Sequence, residues 1–148
     1  MRHGKPAGMT TATAERTATC ACGQLKLRLQ GEPALVSSCH CRACQRRTGG
    51  LFGVQAFFRR EQLVAVEGEH RTFARTADSG TAVTHEFCPV CGSTMFWERP
   101  NLPGMVTIAV GTFADPNFPP LVRTVWTESK HDWLPFPETI PHYPKAPD

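Results

Sequence analysis

Cys20-Ala21-Cys22-Gly23-Gln24-Leu25-Lys26-Leu27-Arg28-Leu29-Gln30 begins with two cysteines and then alternates. Successive side chains of an extended chain point to opposite sides, so Leu25, Leu27 and Leu29 share one face and Lys26 and Arg28 the other. This is a half-buried strand, and the pattern recurs. Strand-like runs span Leu51–Phe58, Leu63–Val66, His70–Arg75, Thr81–Phe87, Ser93–Glu98, Met105–Gly111 and Leu121–Trp126. Glu67-Gly68, Asp78-Ser79-Gly80, Asn101-Leu102-Pro103-Gly104 and Asp115-Pro116-Asn117 supply the turns between them. The one helical candidate is Arg42–Thr48, stopped by Gly49-Gly50. The expected class is therefore all-β, built of packed antiparallel sheets with very little helix.

The 148 residues suffice for one domain with a modest core, and 41% hydrophobic with 20% charged residues is an ordinary globular composition. No apolar run approaches membrane-spanning length, so no membrane is expected. Arg2 and Lys5 are followed by no apolar stretch, so residues 1–18 read as a flexible leader rather than a secretory signal. The folded domain is expected over 19–136. Eight of the 13 prolines fall between Pro116 and Pro147, so the late region reads as extended loop, with 137–148 a Pro-rich tail. Trp126, Trp133 and Phe136 are candidate anchors for that loop. Without export, the expected compartment is the cytoplasm, where thiols stay reduced. The net charge of +3 is too mild to point to nucleic acid.

Seven cysteines fall into three clusters. An odd number at these spacings speaks for metal rather than disulfides. Cys88-Pro89-Val90-Cys91-Gly92 is a zinc-knuckle signal, because proline stiffens the tight turn between the two sulfurs and glycine permits the positive φ that closes it. Cys20 and Cys22 lie two apart and point to one face of extended chain. Neither pair completes a tetrahedron alone, so Cys20, Cys22, Cys88 and Cys91 together are expected to hold one structural zinc. A redox Cys-x-x-Cys would need a following helix, whereas the chain after Cys91 reads as strand. Cys39-His40-Cys41-Arg42-Ala43-Cys44 offers three sulfurs if the first three residues are extended and a turn follows. Three ligands leave a zinc open to water or to an incoming thiol, while a ring nitrogen of His40 or His85 would close the site.

The motifs at Cys20–Leu25, at Ser38–Gly49, and Phe87-Cys88-Pro89-Val90-Cys91-Gly92-Ser93 together resemble the glutathione-dependent formaldehyde-activating enzyme family, the group that includes centromere protein V. The segment Gly111-Thr112-Phe113-Ala114-Asp115-Pro116 is similar to another of its motifs, and the likeness runs from about Thr19 to Trp133. It implies a β-tent-like fold with zinc knuckles, a structural zinc on Cys20, Cys22, Cys88 and Cys91, and a second, labile or catalytic zinc on Cys39, Cys41 and Cys44. It also implies a carbon–sulfur lyase-type activity joining glutathione to formaldehyde to give S-hydroxymethylglutathione. Members often carry His-Ile where this chain has Thr124-Val125, so any role of that histidine is missing here.

Arg42, Arg46 and Arg47 flank the open-site candidate. Guanidinium forks match carboxylates, so Arg46 and Arg47 are candidates to hold an acidic thiol substrate. Phe52, Phe57 and Phe58 are either pocket wall or core. His85 and Glu86 are candidate proton shuttles that nothing in the sequence separates from strand surface, and Lys130-His131-Asp132 reads as a solvated turn. The expected partners are a small-molecule thiol and an aldehyde, and a homodimer is compatible with the chain. The rival class is a non-catalytic zinc-binding module, either a glutathione carrier or a protein- or nucleic-acid-interaction domain.

Overall fold

The structure, a computed structural model, describes residues 14–77 and 79–147. The expectation of a leader over residues 1–18 lies outside the described residues up to residue 13. Eleven strands follow in chain order. They are β1 Glu15–Thr19, β2 Lys26–Gln30, β3 Leu35–Cys39, β4 Gly53–Arg59, β5 Leu63–Glu67 and β6 Arg71–Thr76, then β7 Ala82–Phe87, β8 Thr94–Glu98, β9 Met105–Ala109, β10 Arg123–Val125 and β11 His142–Tyr143. One α-helix, α1, spans Arg42–Thr48, and short 3-10 turns complete the described chain. Among the described residues no helix is long and apolar enough to cross a membrane.

The strands form two sheets. One has the order β1-β2-β5, the other β11-β10-β3-β4-β9-β8-β7-β6. All pairs are antiparallel except β3–β10 and β10–β11, so one end of the large sheet is mixed rather than antiparallel as expected. Alternation in β2 sends Leu27 and Leu29 inward, both fully buried, while Lys26, Arg28 and Gln30 face out. They meet Ala18 of β1 and Leu63 of β5 and pack on Val36, Ala56, Phe58, Phe96, Val106 and Ile108 of the large sheet. This is the core: two sheets sharing one dry layer.

The large sheet has a second face, and it is not dry. Adjacent residues of the same strands point the other way: Ser37 and Cys39 of β3, Gln55 and Phe57 of β4, Thr107 of β9, Trp97 of β8 and His85 of β7. Register places Arg123 beside Ser37, and Ser37 opposite Gln55. A second row runs Phe57–Thr107–Trp97–His85–Phe73 across five strands, each residue the direct partner of the next. Cross-strand partners on one face are in contact range. That row and its neighbours are the floor of the site described below.

Three strands differ from the sequence reading. β1 occupies a stretch expected to be leader, held by Arg16, which pairs with Glu32 at 2.7 Å and Asp115 at 3.4 Å and lies over the Phe118 ring. β3 had no alternation to reveal it, because its residues are buried on both faces. Its polar Ser38 is satisfied by Thr124 Oγ1 at 2.7 Å. β11 lies in the Pro-rich tail and pairs with β10. Of the three expected anchors, Trp126 and Phe136 are half-buried, while Trp133 is 72% exposed.

Leu27 sits in the layer between the sheets, so Leu27→Ala is expected to cost about 2–5 kcal/mol through lost transfer energy and an unfilled cavity. Val64→Ala, on a side chain 47% exposed, is expected to stay within about 0.5 kcal/mol of the parent. Guanidinium unfolding of zinc-saturated protein measures both.

Candidate functional site

Two cysteine groups converge in space. Cys20, Cys22, Cys88 and Cys91 have all their sulfurs within 4.8 Å of one another, as do Cys39, Cys41 and Cys44. All seven cysteines are free.

The first group is built from two matching turns. After β1, Gly23 N–H bonds to Cys20 O, and after β7, Gly92 N–H bonds to Cys88 O at 2.8 Å. Gly23 (φ 88°) and Gly92 (φ 82°) both take the left-handed conformation that closes such a turn. The turns face each other across the two sheets, and Ala21 N–H donates to Ser93 Oγ between them. The pair therefore brings one sheet against the other at this corner. Cys22 lies 3.6 Å from Cys20 and 3.7 Å from Cys88, sulfur to sulfur. A tetrahedron with metal–sulfur bonds of about 2.3 Å has an edge of about 3.8 Å, so the donor set fits zinc. N–H donors surround it: Gln24 Nε2 reaches Cys88 Sγ at 3.0 Å, Leu25 N–H reaches Cys20 Sγ at 3.2 Å and Val90 N–H reaches Cys88 Sγ. Donors of this kind stabilise thiolate over thiol. The Ser93 hydroxyl, 3.2 Å away, brings Cys91 down to about 5.

The second group sits where β3 ends. Cys39 is the last residue of β3, His40 continues extended with its N–H on Val125 O, and Cys41 caps α1, its sulfur accepting from Cys44 N–H at 3.3 Å. Gly49 at φ 71° ends the helix, as Gly49-Gly50 suggested. All three cysteines are buried. The Cys39 and Cys44 thiols donate to Cys41 and bring it to about 2, and the same bond to Cys41 pushes Cys39 far up. Three crowded sulfurs thus share one negative charge by themselves, and a dication is what lets all three ionise. The donor set fits a zinc with three protein ligands. The His40 ring does not join the three sulfurs. It is fully buried between Phe52, at 5.3 Å, and Phe136, at 4.7 Å, and both ring nitrogens lack partners among the described residues. Burial holds it down to about 4, with Lys130 adding to the effect.

Cys39, Cys41 and Cys44 open on a cavity of about 540 Å³ whose floor is the second face of the large sheet. Gln55, His85, Arg75, Arg99 and Arg123 also line it. Among the described residues none of these arginines pairs with a carboxylate. Among the described residues Gln55, 4% exposed, has no partner for Oε1, and the buried Arg99 Nε has none either. His85 is 5% exposed, rests on Trp97 at 4.9 Å, and has no hydrogen-bond partner among the described residues. Burial, then the charges of Arg47, Arg75 and Arg99, bring His85 to about 4, so it is neutral at pH 7. Glu86, its neighbour, points to the opposite face and bonds His70 and Thr72. Buried polar groups without partners in a cavity are groups prepared for a ligand.

Arg46 and Arg47 do not line this cavity. They border a neighbouring one with Phe73 and Phe87, and Arg47 lies 4.6 Å from the centre of the Trp97 ring. Phe57 lines the cysteine cavity, Phe58 belongs to the core and Phe52 cages His40. Arg75, Arg99, Arg123 and Gln55 carried no signal in the sequence, where each stands in a separate strand-like or loop segment outside the cysteine clusters.

Residues 15–129 match the family model described as "Glutathione-dependent formaldehyde-activating enzyme". No curated protein matches the chain. A solved crystal structure of a Rhodobacter sphaeroides protein is similar in fold, with TM-score 0.51 and 24% identity, over 70% of this chain and 91% of that one.

Two outcomes test the site. Cys88→Ala is expected to lose metal and solubility together, whereas Cys41→Ser removes metal from the second group and leaves the fold nearly intact. Elemental analysis and unfolding of both, against a parent holding between about one and two zinc per chain, measure the difference. For His85, the folded group titrates near 4 and the free side chain at 6.5. The unfolded chain takes up its proton first, so stability present above pH 6.5 is lost as pH falls toward 4, by about 3 kcal/mol at 1.4 kcal/mol per unit. In His85→Gln this contribution disappears, and the difference between the two stability-versus-pH curves isolates it from acid release of metal.

Proposed function

This chain belongs to the glutathione-dependent formaldehyde-activating enzyme family, and on that premise we propose that it is a carbon–sulfur lyase-type enzyme joining an acidic thiol, glutathione, to a small aldehyde. The observation that carries the reading is the three-cysteine group opening on a cavity whose arginines have no carboxylate partner, and whose buried histidine has no hydrogen-bond partner, among the described residues. Zinc would be held by Cys39, Cys41 and Cys44, and when bound it supplies the polarisation that keeps a further thiol in thiolate form at neutral pH. A second zinc on Cys20, Cys22, Cys88 and Cys91 is structural in this reading.

The protein's own groups do the rest. Arg99 and Arg123 bind the carboxylates of the thiol, with Arg75 on the same side of the cavity as Arg99, because a half-buried guanidinium gives strong charge-assisted bonds. Gln55 Oε1 accepts from an amide or ammonium N–H of the same molecule. The thiol sulfur forms a bond to the aldehyde carbon, the carbonyl π pair moves to oxygen, and that oxygen takes up a proton in place of the one the thiol released. A neutral imidazole can donate an N–H to the developing oxyanion without first losing a charge, and His85 is in that state. Nothing is oxidised or reduced. Arg46 and Arg47, once candidate carboxylate holders, act in this reading from the adjoining cavity, with Arg47 bracing Trp97. A reducing compartment, the cytoplasm, suits a protein with seven free thiols.

Since thiol and aldehyde also combine uncatalysed, the test is acceleration over that background by the zinc-loaded protein. Cys41→Ser is expected to abolish it. Arg123→Ala is expected to raise KM for glutathione about 10- to 100-fold, the loss of one charged hydrogen bond, and to change KM for uncharged 2-mercaptoethanol much less. Glutathione binding without acceleration would indicate a carrier, and neither binding nor acceleration would indicate an interaction module.

A further inference from the structure

The cavity beside the cysteines does not end at His85. Phe57–Thr107–Trp97–His85–Phe73 is one continuous row of direct strand partners, and it leads out of the first cavity into the second. That second cavity, of about 550 Å³, is walled by Phe73, Phe87, Thr94 and Ala43 together with Arg46 and Arg47, and Arg75 and His85 border both. The two strands repeat the arrangement. Along β6 the same face passes from Arg75 to Phe73, and along β7 from Val83 to His85 to Phe87. Arg75 and His85 are therefore the junction of one cleft with two ends. The first end is polar, with Gln55, Arg99 and Arg123. The second carries two phenylalanine rings, and Phe73 is 58% exposed although it lies on the inward-facing row. At the junction His85 is nine-tenths buried and has no hydrogen-bond partner among the described residues.

We propose that the second end is the aldehyde subsite and that this chain's aldehyde carries an apolar body, an aryl or alkyl group, rather than a single carbon. The inference rests on the thiol–aldehyde reading above. An aldehyde whose oxygen meets His85 has its carbon facing the thiol, whose polar body occupies the side of Arg99 and Arg123. The remaining direction runs toward Phe73 and Phe87. Formaldehyde has no group to place there. A phenyl or alkyl substituent covers the Phe73 ring and removes both surfaces from water. The bonds formed and broken are those of the parent reaction, so no further reactant is required.

The test uses the full zinc-loaded chain with glutathione and two aldehydes, formaldehyde and phenylacetaldehyde, each rate divided by its uncatalysed rate. The expected result is an acceleration about tenfold or more greater for phenylacetaldehyde, the discrimination that apolar pocket contacts supply. Phe73→Ser is expected to lower that selectivity ratio about tenfold and Phe73→Leu to retain most of it, with zinc content and circular dichroism confirming the fold of each. If formaldehyde is accelerated but phenylacetaldehyde is not, or if Phe73→Ser leaves the ratio unchanged, the apolar subsite is overturned while the thiol–aldehyde reading stands. If neither aldehyde is accelerated, that reading fails and the subsite falls with it.

Discussion

Alternation along the eight-stranded sheet is the constraint from which the rest follows. Every second side chain of β3, β4, β8 and β9 is committed to the layer shared with the small sheet, where Val36, Ala56, Phe58, Phe96, Val106 and Ile108 exclude water. The residues between them cannot reach that layer, because the pleat sends them the other way. A slip of one residue in any pairing would put Gln55 or His85 into the core and Ala56 or Phe96 into the cavity. Burial on one side thus fixes the register, and the register aligns the polar groups on the other. Cys39 is placed by the same rule, two residues after Ser37 at the end of β3.

The two sulfur groups answer different mechanical needs. A chain of this size has one thin core, and the small sheet contributes only three strands to it. Cys20 and Cys22 lie at the turn of the β1–β2 hairpin and Cys88 and Cys91 at the turn of the β7–β8 hairpin, so one ion held there would tie the two layers together. Gly68 shows how tightly that corner is built. A Cβ on it would lie 1.9 Å from the Gln24 carbonyl oxygen, and Gln24 is the residue whose amide reaches Cys88. The second group lies away from that corner. It sits at the junction of β3 and α1, packed on Val125, Trp126 and Tyr143, in a small cluster separate from the main core.

What the sequence revealed depended on whether the information was local. Cysteine spacings are local, so both groups were legible before any fold was known, and so was α1 with its glycine stop. The alternation of Lys26–Gln30 was legible because one of its faces meets water. β3 was not, because Ser37 looks toward the cavity and Ser38 is satisfied by Thr124, a strand away, so the run Leu35–Cys39 has no polar face turned to solvent. β1 was hidden by polar composition, its fastening being the ion pairs of Arg16 with Glu32 and Asp115. The cavity's arginines were the least legible. Sequence proximity to Cys44 favoured Arg46 and Arg47, yet α1 turns them toward the neighbouring cavity, while Arg75, Arg99 and Arg123 arrive from three separate strands or strand ends. Only the assembled sheet makes neighbours of them.

Among the described residues the outer side of β6 has no partner strand, and its backbone groups are open to pairing. A second copy adding there in antiparallel fashion about Phe73 would set Arg71 of each chain against Arg75 of the other. Two such like-charge oppositions flank the one apolar pair, and like charges directly across a strand pair repel. The same arginine that borders the cleft therefore also discourages the sheet from lengthening chain by chain. It lets an aromatic ring stay uncovered at a free edge without that edge becoming a seed for fibres.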